Sequence, residues 1–222
     1  MEMGETKKLN LDHFIIFSIV RPRTRVLDLG CGNGDLLYAL AREKQVRAQG
    51  IELNEQAIQA CVAKGLNVIH GDIESSLKEY PEDSFDYVIL NQSMQQVRNV
   101  DWVIDESLRI AKEVIVGFPN FAHIKSRMKL FFSGRFPVTE SLPYRWYDTP
   151  NLRFLSIKDF EDFCYRKNIL ITQAHYLGKR KKVHFLPNVL ACDAILVLRE
   201  SKEAENLKEE SKEDLCGSIQ RR

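Results

Sequence analysis

A chain of 222 residues suffices for one sizeable α/β domain with a small elaboration and is short for two independent cores. Its 32 lysines and arginines against 31 acidic residues leave a net charge of +1, which removes the global electrostatic argument for a nucleic-acid or membrane partner and favours a small-molecule or protein one. The five cysteines, Cys31, Cys61, Cys164, Cys192 and Cys216, form no C-x-x-C pair and no cluster with histidine, so no metal site or disulfide framework is indicated and a reducing, cytoplasmic setting is expected.

Residues 1–10 are polar, and the longest apolar run beside them, Phe14 to Phe17, is far below the roughly 20 residues of a membrane helix. Leu11, Phe14, Ile15, Ser18 and Ile19 lie at helical spacing and predict a helix over one edge of the core, stopped by Pro22. Val26, Leu27 and Leu29 then form the apolar run of a parallel strand covered on both faces. Gly30, Gly32 and Gly34 follow at alternate positions before helical spacing resumes at Leu36, Leu37 and Leu40. A glycine turn between strand and helix brings backbone close to a nucleotide. The dinucleotide spacing G-x-G-x-x-G fails, because counting from Gly30 its last position is Asp35, and no G-K-[ST] follows for a P-loop. Asp28, at the end of the strand, would repel a pyrophosphate and attract an ammonium or sulfonium group. The D-x-G-x-G-x-G spacing of Asp28, Gly30, Gly32 and Gly34 resembles the first motif of class I S-adenosylmethionine-dependent methyltransferases, and with Cys31 these residues are expected to form the ligand turn.

A second strand is predicted over Ala48–Leu53, with Glu52 at its carboxyl end, 24 residues beyond Asp28. That is near the spacing of roughly 20 at which doubly wound folds set an acid against ribose hydroxyls, and Leu53 adjoins it; the alternative is a helix cap. Glu55–Ala63 reads as a helix ended by Lys64 and Gly65. A third strand, Leu66–His70, leads into Gly71, Asp72 and Ile73. In class I methyltransferases an acid here contacts the adenine amine and the next apolar residue packs on the ring; the competing role for Asp72 is a helix N-cap. A fourth strand, Phe85–Leu90, ends at Asn91, Gln92 and Ser93, which are expected to line the cleft. The N-P-P-[YF] signature of many amino-group methyltransferases is absent, which argues against DNA-adenine or glutamine methylation.

A helix over Trp102–Ala111 and a strand over Glu113–Phe118 complete five strand-and-helix alternations, which imply a parallel sheet. From Pro119 the rhythm changes to a basic, aromatic helix (Phe121–Phe132) and a loop rich in Pro, Tyr, Trp and Arg, expected as a lid insertion over about 119–156. A helix over Ile157–Lys167 and strands over Ile169–Leu177 and Val189–Leu198 close the domain at 199, and the charged segment 200–222 is expected to be disordered. The resemblance to class I methyltransferases implies the fold class α/β: a Rossmann-like sandwich on a seven-stranded, mostly parallel sheet with a C-terminal antiparallel strand.

VLDLGCGNGDLL, then FPNFAHIKSRMKLFFSGRFPVT, then LPYRWYDTPN before SIKDFEDFC, resemble the MetW family of methionine biosynthesis over about Leu11 to Leu198. The resemblance implies an S-adenosylmethionine or S-adenosylhomocysteine pocket and a role beside MetX, a homoserine O-acyltransferase. It supplies no methyl acceptor, and fold alone does not set function. If the chain is an enzyme, the candidate bases are His123, Tyr144, Tyr147 and Asp148, all in the inserted block. If it is a binding module, ligand occupancy reports end-product supply to the acyltransferase. The basic run Lys179–Lys182 leaves RNA as a third reading, though a solvated hairpin loop accounts for it as well.

Overall fold

The computed structural model describes residues 9–179 and 181–201. These build a seven-stranded sheet in the order β3-β2-β1-β4-β5-β7-β6. The strands are β1 (Arg25–Leu29), β2 (Arg47–Glu52), β3 (Asn67–His70), β4 (Phe85–Asn91), β5 (Ala111–Pro119), β6 (Ile169–Leu177) and β7 (Asp193–Glu200). β1 to β5 are mutually parallel, and β7 runs antiparallel to both its neighbours, β5 and β6. The Rossmann-like sheet and its reversed C-terminal strand agree with the expectation from sequence.

Strand side chains alternate between two buried layers, as a period of two requires. Leu27, Leu29, Val88, Leu90, Val114 and Val116 face one layer. Val26, Tyr87, Ile89 and Ile115 face the other. The first layer is closed by α5 (Val100–Ile110) and α7 (Ile157–Arg166), through Val103, Ile104, Ile157 and Phe160. The second is closed by α1 (Leu11–Ile19) and α2 (Asp35–Lys44), through Ile15, Ile16, Leu36 and Leu40. Between β2 and β4 the chain forms α3 (Glu55–Ala63) and the short α4 (Ile73–Leu77). After β1 the chain steps outward to β2 and β3, then crosses back to β4 on the other side. The sheet therefore has its switch point between β1 and β4, where the carboxyl ends of strands leave a crevice.

Several boundaries differ from those read off the sequence. α5 begins at Val100 because Asn99 caps it, its side chain accepting from Trp102 N at 3.2 Å. It passes into β5 at Ala111 with no loop between them. α6 (Ile124–Ser133) starts three residues later than Phe121. Asn120 is fully buried, donates to Ala191 O at 2.9 Å and Asn188 O at 3.2 Å, and accepts from Ala122 N at 3.1 Å. That carboxamide holds the chain in a turn, and His123 then caps the helix. The last strand starts at Asp193 instead of Val189, because Pro187 at the first helical position opens the short α8 (Pro187–Leu190). β7 also runs one residue past 199, to Glu200. The charged tail beyond residue 201, with Cys216, lies outside the described residues. Among the described residues no helix is long and apolar enough to cross a membrane.

Candidate functional site

A cavity of about 810 Å³ opens at the switch point. Gly30 and Gly32 bound it from the turn after β1, Glu52 and Leu53 from the end of β2, Asp72 and Ile73 from the end of β3, and Asn91 to Ser93 from the end of β4. Of the ten residues expected to bind ligand, seven line this space: Gly30, Gly32, Glu52, Leu53, Asp72, Ile73 and Asn91. Asp28, Cys31 and Gly34 do not.

The three glycines serve three purposes. At Gly32, with φ +53°, a Cβ would meet nothing within 4 Å, so backbone stands open to the cavity. At Gly30 a Cβ would come within 2.9 Å of Ser93 Cβ, so the missing side chain lets the turn close on the end of β4. Gly34 opens α2 with φ +75°, and a Cβ there would press on Leu66 and Cys61, 2.5 and 2.8 Å away. Its role is packing against α3. Gly34→Ala should therefore lower stability by more than the about 1–2 kcal/mol of a left-handed conformation, because Leu66 and Cys61 must also shift, and leave ligand affinity unchanged. Urea unfolding beside a ligand titration checks both.

Glu52 ties the rim together. Its Oε2 accepts from Gly32 N at 2.8 Å, and its Oε1 from Leu53 N and Asn54 N at 2.9 Å each. A carboxylate offers about four acceptor sites, so these three bonds leave capacity for a ligand hydroxyl. Asp72 takes the N-cap role weighed for it, accepting from Ser75 N at 3.2 Å, and bounds the cavity as well. Asn91 donates from Nδ2 to Asp12 Oδ2 at 2.9 Å, linking the site to α1. Gln92 adopts φ +59°, which is costly for a residue with a side chain and turns the chain sharply after β4. Ser93 Oγ is buried without a hydrogen-bond partner.

Asp28 lies behind the turn, 4 % exposed, on the same side of the sheet as Val26. Burial, with the nearby Glu52 charge adding to it, pushes its carboxyl up to about 7. Cys31 donates its amide to Ile51 O, and its thiol points at Gly50, where a Cβ would meet the sulfur at 2.5 Å. It fills the gap between β1 and β2.

None of the four candidate bases bounds the cavity. His123 Nδ1 accepts from Lys125 N at 3.2 Å, and burial with the Lys125 charge pushes the imidazole below its usual value. Asp148 accepts from Arg145 N at 2.6 Å, Tyr147 from the Arg145 guanidinium at 2.8 Å, and Tyr144 is exposed. The segment over 119–156 reaches the cavity through Pro150 and Leu152 alone. Gln95 O fixes that end, accepting from Leu152 N at 2.9 Å and Arg153 N at 3.2 Å. With Glu74, Gln96, Val97 and Arg98, these are the walls that motif reading missed. In the basic run, Lys179 pairs with Glu140 at 2.5 Å, so part of its charge is already met.

The model of the family described as "Methionine biosynthesis protein MetW" matches residues 10–198. The chain is 34 % identical over 201 residues to the "Bifunctional methionine biosynthesis protein MetXA/MetW" of Rhodopirellula baltica. The match covers 85 % of this chain and 32 % of that protein, so the chain spans about a third of that relative. Among solved structures, a SAM-dependent methyltransferase from Archaeoglobus fulgidus superposes with a TM-score of 0.64 at 16 % identity, over 89 % of this chain and 95 % of that one. The [4+2]-cyclase SpnF superposes with a TM-score of 0.58, also at 16 % identity, over 85 % of this chain and 80 % of that one. The fold is thus that of class I methyltransferases, and a protein named for a different reaction shares it. With its family model matched from residue 10 to residue 198, the chain belongs to the MetW family of methionine biosynthesis proteins.

Proposed function

We propose that this protein holds S-adenosylmethionine, or its demethylated product S-adenosylhomocysteine, at the glycine turn and acts in methionine biosynthesis beside a homoserine O-acyltransferase of the MetX kind. The observation that carries the reading is the pairing of open backbone at Gly32 with the Glu52 carboxylate on one wall of a cavity. Its volume lies within the range of about 300–1,000 Å³ typical of small-molecule sites. In this reading Glu52 receives a ribose hydroxyl at its remaining acceptor site, Asp72 and Ile73 hold the adenine, and the end of β4 faces the amino-acid portion. When bound, S-adenosylmethionine supplies a permanent sulfonium charge and an electrophilic methyl group. The name MetXA/MetW, which joins both functions in the Rhodopirellula protein, supports the partner. The candidate bases lie off the cavity, which favours sensing over turnover. The test is a calorimetric titration with each adenosyl compound, followed by acyltransferase assays with and without the ligand-loaded protein. Ligand-dependent change in acyltransferase rate supports the reading, and no affinity for either compound refutes it.

Protonation gives a further check. The Asp28 carboxyl, raised to about 7, must ionise before it can attract a cationic ligand. Ligand binding then releases a proton, so affinity rises with pH, from about 9 % ionised at pH 6 to about 91 % at pH 8, roughly tenfold overall. Asp28→Asn should remove this dependence. An identical pH profile in wild type and variant would separate Asp28 from the ligand charge.

A second reading, transfer to a small-molecule acceptor, is favoured by a neighbouring cavity of about 390 Å³ that shares Gln92 with the first. Asp12, Cys192 and Asp193 bound it, and burial pushes the Asp193 carboxyl up to about 6, suited to accepting a proton near neutrality. Methyl release to homoserine-pathway intermediates in a turnover assay would select this reading.

A further inference from the structure

α6 carries an amphipathic stripe turned the wrong way for a core helix. Ile124, Met128, Phe131 and Phe132 stand at i, i+4, i+7 and i+8, the spacing of a single face. Their exposures are 37, 47, 83 and 72 %. The Phe131 and Phe132 rings meet edge to face at 5.1 Å, forming a raised aromatic pair. The helix is held from elsewhere. Ser126 is 1 % exposed, Arg127 donates from Nε to Ala122 O at 2.6 Å, and a trio of rings, Phe121, Phe136 and Phe154, packs between the segments that flank it. Lys125, Arg127, Lys129 and Arg135 surround the stripe, all exposed, and no acidic residue occurs from Pro119 to Thr139.

We infer that this face of α6 is the docking surface for the acyltransferase partner, which would present an acidic-rimmed apolar groove to it. The inference rests on the partner reading given above. Exposed aromatics grouped in one patch with a charged rim have the anatomy of an interface centre. In the Rhodopirellula relative the two named functions share one polypeptide, and such a linkage supplies a high local concentration of one for the other. Where the two functions meet as separate chains a complementary surface supplies it, and the stripe is apolar enough to do so while its four cations speed encounter with an acidic face. α6 borders neither the glycine-turn cavity nor its Pro150 and Leu152 wall, so the partner can be held while the ligand site stays free.

The experiment titrates the purified homoserine O-acyltransferase against the full chain by calorimetry. Wild type is compared with a double variant, Phe131→Glu with Phe132→Glu, and with Lys129→Glu combined with Arg135→Glu. The double aromatic variant should bind about thirtyfold more weakly, the loss expected of a hot-spot pair. The charge variant should associate several-fold more slowly and lose salt dependence. Melting temperatures should not move, because all four side chains are exposed. If wild type binds and the aromatic variant binds equally well, this surface is wrong and the partner reading stands. If wild type does not bind the acyltransferase at all, the partner reading and this occupant fall together. Concentration-dependent dimerisation abolished by the aromatic variant, or its loss of binding to phosphatidylglycerol vesicles, would overturn the inference in favour of a second copy or a lipid surface.

Discussion

Gly32→Val should abolish S-adenosylmethionine binding and leave the protein folded. The two halves of this expectation have separate physical origins. A side chain at Gly32 meets no protein atom within 4 Å, so its branched methyls project into the cavity itself. Backbone that a ligand must approach closely then becomes covered. The cost to the fold is confined to φ +53°, a left-handed conformation that disfavours a side chain by roughly 1–2 kcal/mol. That is small against the 5–15 kcal/mol by which domains are typically stable. Calorimetry should register no heat of binding, and the urea midpoint should fall modestly. Gly34→Ala, equally left-handed but pressed against Leu66 and Cys61, gives the opposite pattern of lost stability and retained affinity. If Gly32→Val still binds the ligand, the glycine turn is not part of its site.

The strand, turn and helix from Arg25 to Lys44 were legible because every signal there is local. A run of apolar residues marks a strand buried on both faces, and glycines mark positive φ. The reversed last strand was expected from the resemblance to the methyltransferase sheet. What local patterns could not carry was the direction in which a side chain points after the chain has folded. Asp28 sits in the motif at the right spacing, yet alternation along β1 turns it to the α1 and α2 side, behind the cavity. Gly34 completes the glycine spacing, but its neighbours Cys61 and Leu66 belong to α3 and the loop that follows it, contacts no window of the sequence contains.

The segment over 119–156 was harder still. Its titratable and aromatic residues drew attention to His123, Tyr144 and Tyr147 because they are chemically conspicuous, whereas the residues that reach the cavity are Pro150 and Leu152. Two backbone bonds to Gln95 O bring them there, and backbone bonds of an irregular segment leave no periodicity to read. His123 was conspicuous for a reason the sequence does hold in hindsight: it stands just before a run of helix-forming residues, where a side-chain acceptor caps the helix. The basic, aromatic helix was legible in the sequence, but only the fold reveals that its face of Ile124, Met128, Phe131 and Phe132 looks outward.

Glu52→Ala should weaken S-adenosylmethionine binding by about a hundredfold. A carboxylate that accepts a ribose hydroxyl forms a charge-assisted bond worth about 1.5–3 kcal/mol, or roughly ten- to a hundredfold in affinity. The upper end applies here because the same side chain positions the turn. Gly32 N donates to Oε2 and the amides of Leu53 and Asn54 to Oε1, so removal releases three donors together and loosens the backbone that faces the ligand. Glu52→Gln separates the two contributions. Its single carbonyl oxygen can retain part of the amide bonding while the charge is lost, so its affinity should fall between those of wild type and Glu52→Ala. Titration of both variants at fixed pH decides the matter. Wild-type affinity in Glu52→Ala would mean that the ligand uses neither the carboxylate nor the turn it holds. Equal losses in the two variants would mean that its charge, and not its hold on Gly32, is what the ligand uses.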